Sequence, residues 1–327
     1  KKLLVDLDEL RAQLKKYKDR KIKIGSFTAC SNVTGIETPY HEMAKIMHEN
    51  GGKCFIDFAA SAPYVDMNMH PKDPLQKLDA IFFSPHKFLG GPGSTGVLVF
   101  DSALYDWKAP DNPGGGTVDW TNPWGEYQYI SDIELREDGG TPGFLQTMRT
   151  ALSIDVKNKM GTENIKKREE VLVKLAFKEF SKINKIHILA DNVKHRLGII
   201  SFYIEDIHYN LIVKLLNDRF GIQARGGCAC AGTYGHFLLD VSYNYSKKIT
   251  NLINSGNLSE KPGWVRISLH PTMTNAELKF VVDAINEIQK NYKKWEKDYI
   301  YNLKTNEFRH KSQTQDEEYK VKNWLKI

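Results

Sequence analysis

Lys87 and Asp57 are the two residues of this chain whose positions best suit chemistry. Lys87 follows the apolar run Ala80–Phe83, in the order Ser-Pro-His-Lys, and a glycine-rich turn comes directly after it. A second apolar run, Lys53–Ile56, ends at Asp57, thirty residues before Lys87. Short apolar runs bounded by turn residues are typical of buried strands. The sequence therefore predicts a carboxylate and an amine at the ends of two strands.

An anion and an amine placed in this way are what pyridoxal phosphate requires. A carboxylate stabilises its pyridine nitrogen, and a lysine condenses with its aldehyde. Asp57 is predicted to keep the ring nitrogen protonated. Lys87 must lose its proton to attack an aldehyde, and burial beside a cationic ring favours the neutral amine. We therefore expect Lys87 to hold the cofactor and then to move a substrate proton as a general base.

The glycine-rich turn after Lys87 has two more ordinary interpretations. Gly91, Gly93 and Gly96 formally match the dinucleotide-binding fingerprint, but that fingerprint needs a following helix and here an apolar strand follows. A lysine before glycines is also often a plain loop residue. The strand-end position and the matched Asp57 favour the cofactor role, with the glycines giving the backbone room beside a bulky ligand.

A second chemical segment runs from Arg225 to His236 and contains Cys228 and Cys230 between glycines. Glycines predict a mobile loop, in which a thiol is accessible and reactive. Two alternatives stay open. The cysteines can be packing residues of an inherited loop, or the Cys-x-Cys pair can bind a metal ion. Metal binding is weakly supported, because His236 is the only additional ligand near this pair in the sequence. We therefore predict no metal site.

Composition restricts the class of protein. The 327 residues are 41% hydrophobic and 26% charged with a net charge of +6, which is ordinary for a globular protein large enough for two domains. The mild basic excess favours solvated charged faces over nucleic-acid binding. No apolar run has the length of a membrane span. Four cysteines do not form a disulfide framework, which indicates the cytoplasm.

Strands alternate with helices along the first half of the chain, which predicts an α/β fold. We expect part of a large cofactor-binding domain over 1–150, with a mixed, mostly parallel sheet. A connecting helix and a small α+β domain are predicted over 151–298, and a polar tail over 299–327. Within these domains the sequence predicts an amphipathic first helix (1–20), a long irregular segment (110–143) and a helical region (144–180).

Several short motifs together resemble a known family. These are Ser31–Gly35 (SNVTG), Ser84–Lys87 (SPHK) with its GVLVF strand, Gly139–Pro142 (GGTP), and the arginine-containing stretches RGGCAC and VRISL. The chain resembles class V aminotransferase-like enzymes of pyridoxal-phosphate fold type I, with the cysteine desulfurase and selenocysteine lyase group closest. It has almost none of the family's N-terminal third, so we expect it to be N-terminally incomplete.

The resemblance implies roles for individual residues. It implies that Cys230 is the sulfur-accepting nucleophile, with Cys228 an extra thiol, and that Arg266 binds the substrate carboxylate together with Arg225. It implies that Thr141 reaches the phosphate of a neighbouring subunit, and hence a homodimer. It also implies the residues that bind the cofactor. Asp57 pairs with the pyridine nitrogen and Asn32 lies near the 3-hydroxyl group. Ser84 and His86 lie on the phosphate side, and Lys87 forms the Schiff base.

The function implied is that of a transferase which takes sulfur from a small amino acid, cysteine, and releases alanine, or the related cleavage of selenocysteine. A sulfur-acceptor protein is the expected partner. One departure is Ala60, which stands where the desulfurases carry a glutamine three residues after the aspartate. Two alternatives remain: an aminotransferase, epimerase or lyase acting on another amino acid, and a non-catalytic fragment that dimerises without cofactor.

Overall fold

The computed structural model describes residues 3–228, 231–312 and 322–324. The chain forms two compact units. The N-terminal unit comprises Val5–Cys30 and Thr38–Asn164, and the C-terminal unit comprises Lys1–Leu4, Ser31–Glu37 and Ile165–Ile327. Among the helices of the described ranges, none combines the length and the apolar character needed to cross a bilayer.

The N-terminal unit is built on a four-stranded sheet with the strand order β1-β2-β3-β4. The first three strands are parallel and the last is antiparallel to its neighbour, which confirms the predicted mixed, mostly parallel sheet. In chain order the elements are α1 (Leu7–Lys16), β1 (Ile24–Thr28), α2 (Tyr40–Glu49), β2 (Lys53–Asp57), β3 (Ala80–Phe83), β4 (Val97–Phe100), β5 (Val118–Thr121), β6 (Tyr127–Tyr129), α3 (Ile133–Glu137) and α4 (Phe144–Met160).

One face of this sheet is buried more deeply than the other. Along β2, Cys54 and Ile56 are buried, whereas Phe55 and Asp57 on the alternate positions are only partly buried. The buried face packs against the first two helices through apolar side chains such as Leu14 and Met47. Because side chains alternate along a strand, Asp57 lies on the less buried face, where a polar group keeps access to a ligand.

The segment 110–143, predicted to be irregular, contains the hairpin of β5 and β6 and the short helix α3. Asn122 sets the hairpin turn, because its Oδ1 accepts hydrogen bonds from the N–H groups of Trp124 at 3.0 Å and Glu126 at 3.1 Å. Local side-chain bonding of this kind specifies a turn without a hydrophobic signal. The two strands were missed because they bury little apolar surface.

The C-terminal unit is an antiparallel sheet with the order β7-β8-β10-β9, covered by helices. Its core joins these strands to α5, α6 and α9 through residues such as Leu172, Phe202 and Ile285. In chain order the elements are α5 (Thr162–Phe180), β7 (Ile186–Ile188), β8 (Ile199–Ile204), α6 (Tyr209–Phe220), β9 (Arg225–Gly227), α7 (Gly232–Leu238), α8 (Tyr243–Asn254), β10 (Trp264–Ser268), α9 (Asn275–Trp295), β11 (Tyr299–Asn302) and β12 (Glu307–His310).

Two parts of the chain differ from the sequence-based expectation. The helical region 144–180 is two helices, because Gly161 has a φ of +78°, which the helix cannot continue. The stretch expected to begin a polar tail at Tyr299 opens with the hairpin of β11 and β12. The aromatic rings of Tyr301 and Phe308 in this hairpin pack in tilted geometry against His208, which precedes α6, and this packing stabilises the hairpin.

Candidate active site

Parallel pairing of β2 with β3 brings the first group of predicted residues to one edge of the N-terminal sheet. Asp57 is the register partner of Phe82, and the N–H of Phe58 donates to the carbonyl oxygen of Phe82 at 2.9 Å. Neighbouring strands lie about 5 Å apart. Ser84 is two residues beyond Phe82, so its backbone and that of Asp57 share the carboxyl edge of the sheet. This is the edge at which open α/β sheets bind ligands.

Asp57 itself is held by a short local bond. Its Oδ1 accepts the N–H of Ala59 at 2.7 Å, which fixes the carboxylate at the strand end. Four residues further on, Ser61 is 1% exposed and its Oγ has no hydrogen-bond partner within the described residues. A buried hydroxyl without a partner is costly. It is therefore a polar atom that a ligand at this strand end can satisfy.

Lys87 ends a single 3-10 turn that begins directly after β3, and its N–H donates to the carbonyl oxygen of Ser84 at 3.0 Å. Ser84 caps this turn with its backbone only, since its side chain forms no capping bond. The sequence predicts a buried amine, whereas the side chains of Lys87 and its neighbour His86 are exposed. The reason is local: the turn directs Pro85 and Phe88 inward and leaves these two at the surface.

Glycine is required in the turn that follows Lys87. A Cβ placed on Gly91 would lie 1.9 Å from the carbonyl oxygen of Pro85. No side chain fits at that distance, so only glycine lets the loop pack against the lysine-bearing turn. This close approach explains the glycine-rich sequence better than dinucleotide binding does, because β4 and not a helix follows.

Helix α4 braces the same loop from its side. Arg149 Nη1 donates to the carbonyl oxygen of Pro92 at 2.7 Å, and the Thr150 and Thr95 hydroxyls lie 3.0 Å apart. Two helical turns further along, Lys157 donates to the carbonyl oxygen of Val65 and lies over the ring of Phe88. Burial lowers the pKa of Lys157. The loop is thus held by hydrogen bonds and by packing on both sides of the lysine.

These residues fit pyridoxal phosphate. Asp57 supplies an anion at the strand end, Ser84 has a hydroxyl that the turn does not use, and Lys87 supplies an accessible amine. The Ser61 hydroxyl, which has no hydrogen-bond partner among the described residues, is a further polar group that the cofactor can satisfy. Among the described residues, no group of three or more His, Cys, Asp or Glu side chains is arranged to hold a metal ion.

The C-terminal unit brings together a second group of predicted residues. Arg266 on β10 is the register partner of Arg225 on β9 and of Ser201 on β8, and residues directly opposite in antiparallel strands share a face. Arg266 Nη1 donates to the carbonyl oxygen of Asn32 at 3.1 Å, and Ser201 Oγ donates to the carbonyl oxygen of Val33 at 2.6 Å. Two strands of the sheet therefore hold the SNVTG turn.

This turn depends on its serine and its glycine. Ser31 Oγ accepts the N–H groups of Val33 and Thr34, each at 3.2 Å, which closes the turn locally. Gly35 has a φ of +71°, and a Cβ there would lie 2.6 Å from the carbonyl oxygen of Leu197. The serine and the glycine of the SNxxG pattern are thus explained by backbone geometry.

The structure gives less information about the roles of the remaining predicted residues. Thr141 is exposed in the N-terminal unit, two residues before Gly143, which precedes α4. Cys228 is a free, partly buried thiol just after β9. Cys230, the predicted nucleophile, lies outside the described residues, so its role stays a prediction from the sequence.

Sequence reasoning missed one residue that shapes this region. Asp79 directly precedes β3, is fully buried, and accepts hydrogen bonds at Oδ2 from the N–H of Cys54 at 2.8 Å and from His48 Nε2 at 2.7 Å. Burial alone would raise its pKa, but these bonds and the nearby cations hold the pKa of Asp79 below its usual value. The signal was present, because a lone acid at the start of an apolar strand needs partners when buried.

Comparison with known proteins agrees with this architecture. The apo cysteine desulfurase of Thermococcus onnurineus superposes with a TM-score of 0.70 at 24% identity, covering 89% of this chain and 64% of that one. A NifS-like protein of Rickettsia africae gives a TM-score of 0.65 at 20% identity, covering 88% and 67%. At these identities the likeness shows the fold.

Curated relatives were found at higher identity. A probable cysteine desulfurase of Halalkalibacterium halodurans is 31% identical over 214 residues, which is 64% of this chain and 50% of that protein. A cysteine desulfurase of Haloferax volcanii is 29% identical over 214 residues, 65% of this chain and 48% of that protein. The chain thus spans about half the length of the curated relatives it matches.

The sequence model of one family, described as aminotransferase class-V, matches residues 2–281. The match covers the sheet with Asp57 and Lys87 and also β10 with Arg266. The chain therefore belongs to the class V aminotransferase family, whose members depend on pyridoxal phosphate.

Proposed function

We propose that this chain is part of a pyridoxal-phosphate-dependent cysteine desulfurase, which removes sulfur from L-cysteine and releases alanine. The observation that carries the proposal is the parallel pairing of β2 and β3, because it places Asp57 and the Ser84–Lys87 turn at one sheet edge. The family membership and the curated relatives named as cysteine desulfurases support the choice of substrate.

When bound, the cofactor would supply an electron-withdrawing ring that makes the Cα proton of the amino acid acidic. Asp57 would hold a proton at the ring nitrogen, and Ser84 would donate to the phosphate. Arg266 would bind the carboxylate of cysteine through its planar guanidinium. Lys87 would take the Cα proton. Its position on the turn at the sheet edge gives the amine access to a ligand there.

Sulfur removal needs a nucleophile, and Cys230 is our candidate. Its thiolate would attack the sulfur of the substrate, so that an S–S bond forms as the Cβ–S bond breaks. The electron pair of the broken bond stays with carbon, which takes up protons and leaves as alanine. Cys230 is left as a persulfide. An acceptor thiol then takes over the outer sulfur, which regenerates the Cys230 thiolate. A sulfur-acceptor protein is thus part of the proposal.

The test is release of alanine and of reducible sulfur from L-cysteine by the purified full-length protein with added pyridoxal phosphate. We expect Lys87→Ala to abolish the visible absorbance band of the bound cofactor and to lower kcat by about 10²–10⁴-fold. Lys72→Ala, at another exposed lysine of the same unit, should change neither. Absence of a visible band in the unaltered protein would refute every cofactor-dependent function.

A second function, acting on another amino acid without sulfur transfer, is favoured by Ala60. The methyl side chain of Ala60 cannot donate the hydrogen bond that the glutamine of the desulfurases provides. Cys230→Ser separates the two proposals. Desulfuration predicts that this variant keeps the cofactor band and loses alanine release. Turnover of another amino acid that survives the substitution would establish the second function.

We further propose that the chain forms a homodimer through α4. This helix exposes an apolar stripe of side chains that includes Leu145, 75% exposed, and Leu152, 64% exposed, as well as Met148. A contiguous apolar stripe of this kind marks a protein interface. Thr141, implied by the resemblance to act on a neighbouring subunit, lies four residues before Leu145 in the chain.

Sedimentation equilibrium tests the dimer. Leu145→Glu with Leu152→Glu should shift the protein to monomer, whereas Lys166→Glu with Lys174→Glu, on exposed positions of α5, should leave the mass unchanged. A protein that is monomeric before any substitution would contradict this proposal and leave the proposed desulfurase chemistry open.

A further inference from the structure

A groove of about 970 Å³ in the C-terminal unit has no part in the proposed reaction steps. It is lined by α6, by β9 and the residues next to it, and by the C-terminal hairpin of β11 and β12. The family match ends at residue 281. The hairpin wall of the groove therefore lies outside the part of the chain that the family accounts for.

The hairpin wall is held firmly in place. Asn306 Nδ2 donates to the Tyr209 hydroxyl at 2.7 Å, and the Tyr299 hydroxyl donates to Asp218 Oδ2 at 3.0 Å. Asn306 is itself buried, with a φ of +61°. Hydrogen bonds from β11 and from the turn thus fix the hairpin to α6. The groove is preformed and does not need a ligand to assemble it.

The second wall is the edge strand β9. In the sheet order this strand is terminal, and within the described residues it pairs with β10 alone. A Cβ on Gly226 would collide with the Asn210 side chain at 2.5 Å, so one face of the strand is covered by α6. At Gly227 a Cβ would meet nothing within 4 Å, so the strand is open on that side. The backbone groups on the edge of β9 that faces away from β10 can pair with another strand.

The lining of the groove is mainly cationic. Arg225, Lys214, Lys261 and Arg309 contribute positive charge, and Glu307 is the acidic side chain in the lining. Lys214 is paired with Asp218 at 3.3 Å. Lys261 and Arg309 form no ion pair with any described residue. These two cations therefore remain available to an incoming carboxylate.

We propose that this groove binds an extended acidic segment of a partner protein, which adds as a strand to the free edge of β9. Main-chain hydrogen bonds to β9 would give affinity, and glutamate or aspartate side chains facing Lys261 and Arg309 would give specificity. Nucleic acid is the less suitable anion, because the groove aromatics Tyr209 and Phe308 are packed against the hairpin and His208 rather than open for base stacking.

Cys228 lines the same groove. A bound segment would therefore lie beside the Cys228 thiol. This placement does not depend on cofactor binding, so the inference stands apart from the proposed desulfurase function and can fail or succeed without it.

The probe is a fluorescein-labelled peptide of four Glu-Val repeats, titrated with the full chain and followed by fluorescence anisotropy. We expect saturable binding that weakens with added salt. Lys261→Glu with Arg309→Glu should weaken binding by about tenfold or more. Lys166→Glu with Lys174→Glu makes the same change of charge on α5, away from the groove, and should leave binding within about twofold. Equal weakening by both pairs would overturn the site.

Two further ligands test the mode of binding. The same peptide N-methylated at every residue cannot donate main-chain hydrogen bonds, and strand addition predicts that it binds about tenfold more weakly. Unchanged affinity of the methylated peptide would refute pairing with β9. A single-stranded oligonucleotide of equal charge should compete poorly. If the oligonucleotide binds more tightly than the acidic peptide, the groove is a nucleic-acid site and the proposal is wrong.

Discussion

Arg266 donates a hydrogen bond from Nη1 to the backbone carbonyl oxygen of Asn32, 3.1 Å away, across a separation of 234 residues in the chain. The bond ties the SNVTG turn to the middle of the C-terminal sheet. It also holds one side of the guanidinium, so the direction in which the remaining N–H groups point is set by the fold. A carboxylate ligand would then meet donors that are already oriented.

Replacing Arg266 with lysine should mainly weaken substrate binding. A lysine keeps the charge but cannot hold Asn32 and a carboxylate with the same planar geometry. We expect KM for L-cysteine to rise by about tenfold or more, with a smaller change in kcat. Steady-state kinetics measure this, with Arg11→Lys, an exposed arginine of α1, as the matched control. An unchanged KM would show that Arg266 is a structural residue.

Removing Arg149 should loosen the loop after Lys87. Its guanidinium donates to the carbonyl oxygen of Pro92 at 2.7 Å, and a charge-assisted bond of this kind is worth about 1.5–3 kcal/mol. Arg149→Ala should therefore accelerate amide hydrogen exchange over residues 88–96 several-fold, while exchange in β2 and β3 stays slow. Exchange that is equal in the variant and the parent would mean that packing alone holds the loop.

Asp79→Asn should destabilise the N-terminal unit by about 3 kcal/mol, because it removes the charge of a fully buried carboxylate that is paired with Lys53 and hydrogen-bonded to His48 Nε2. The pKa of Asp79 is held below its usual value. Its stabilisation is therefore fully present above the unfolded-state pKa and is lost as pH falls through the folded-state pKa. Urea unfolding at pH 7 and in acid measures both effects.

Asp73→Asn, at an exposed carboxylate paired with Lys45, is the control for this pair and should change stability much less. If the two variants unfold at the same urea concentration, the buried pair contributes nothing beyond a surface ion pair.

Glu169 should make the C-terminal unit less stable as pH rises through neutrality. Burial, and secondarily the charge of Glu37, raise the pKa of Glu169 to about 7 although Gly198 N–H donates to its Oε1 at 3.1 Å. The unfolded chain ionises near 4.5. The folded state therefore holds a proton that the unfolded state has released, and stability falls between pH 4.5 and 7 by up to about 3 kcal/mol.

Glu169→Gln tests this because the amide keeps the acceptor for Gly198 and cannot ionise. The variant should match the parent at pH 4.5 and be more stable at pH 8, measured by urea unfolding. A parallel pH dependence in the two proteins would assign the effect to another group. Glu163→Gln on the same helix, at an exposed position, is the control.

Much of the fold follows from the sequence where apolar periodicity is strong. The strand that begins at Lys53 and the one that ends at Phe83 were predicted nearly to the residue. The hairpins were not. Their strands are stabilised by Asn122 at a turn and by aromatic contacts with His208, which are relationships that hydrophobic periodicity does not contain.

The sequence by itself determined the chemical types: a lysine and an aspartate at strand ends, glycines where the backbone must approach closely, and the motifs of the family. The tertiary structure alone decided which of these residues meet. Strand register set Asp57 beside Phe82 and Arg266 beside Arg225, and helix packing placed Arg149 on the lysine loop. Register and packing arise from contacts between distant segments, so they are properties of the folded chain and not of any local stretch.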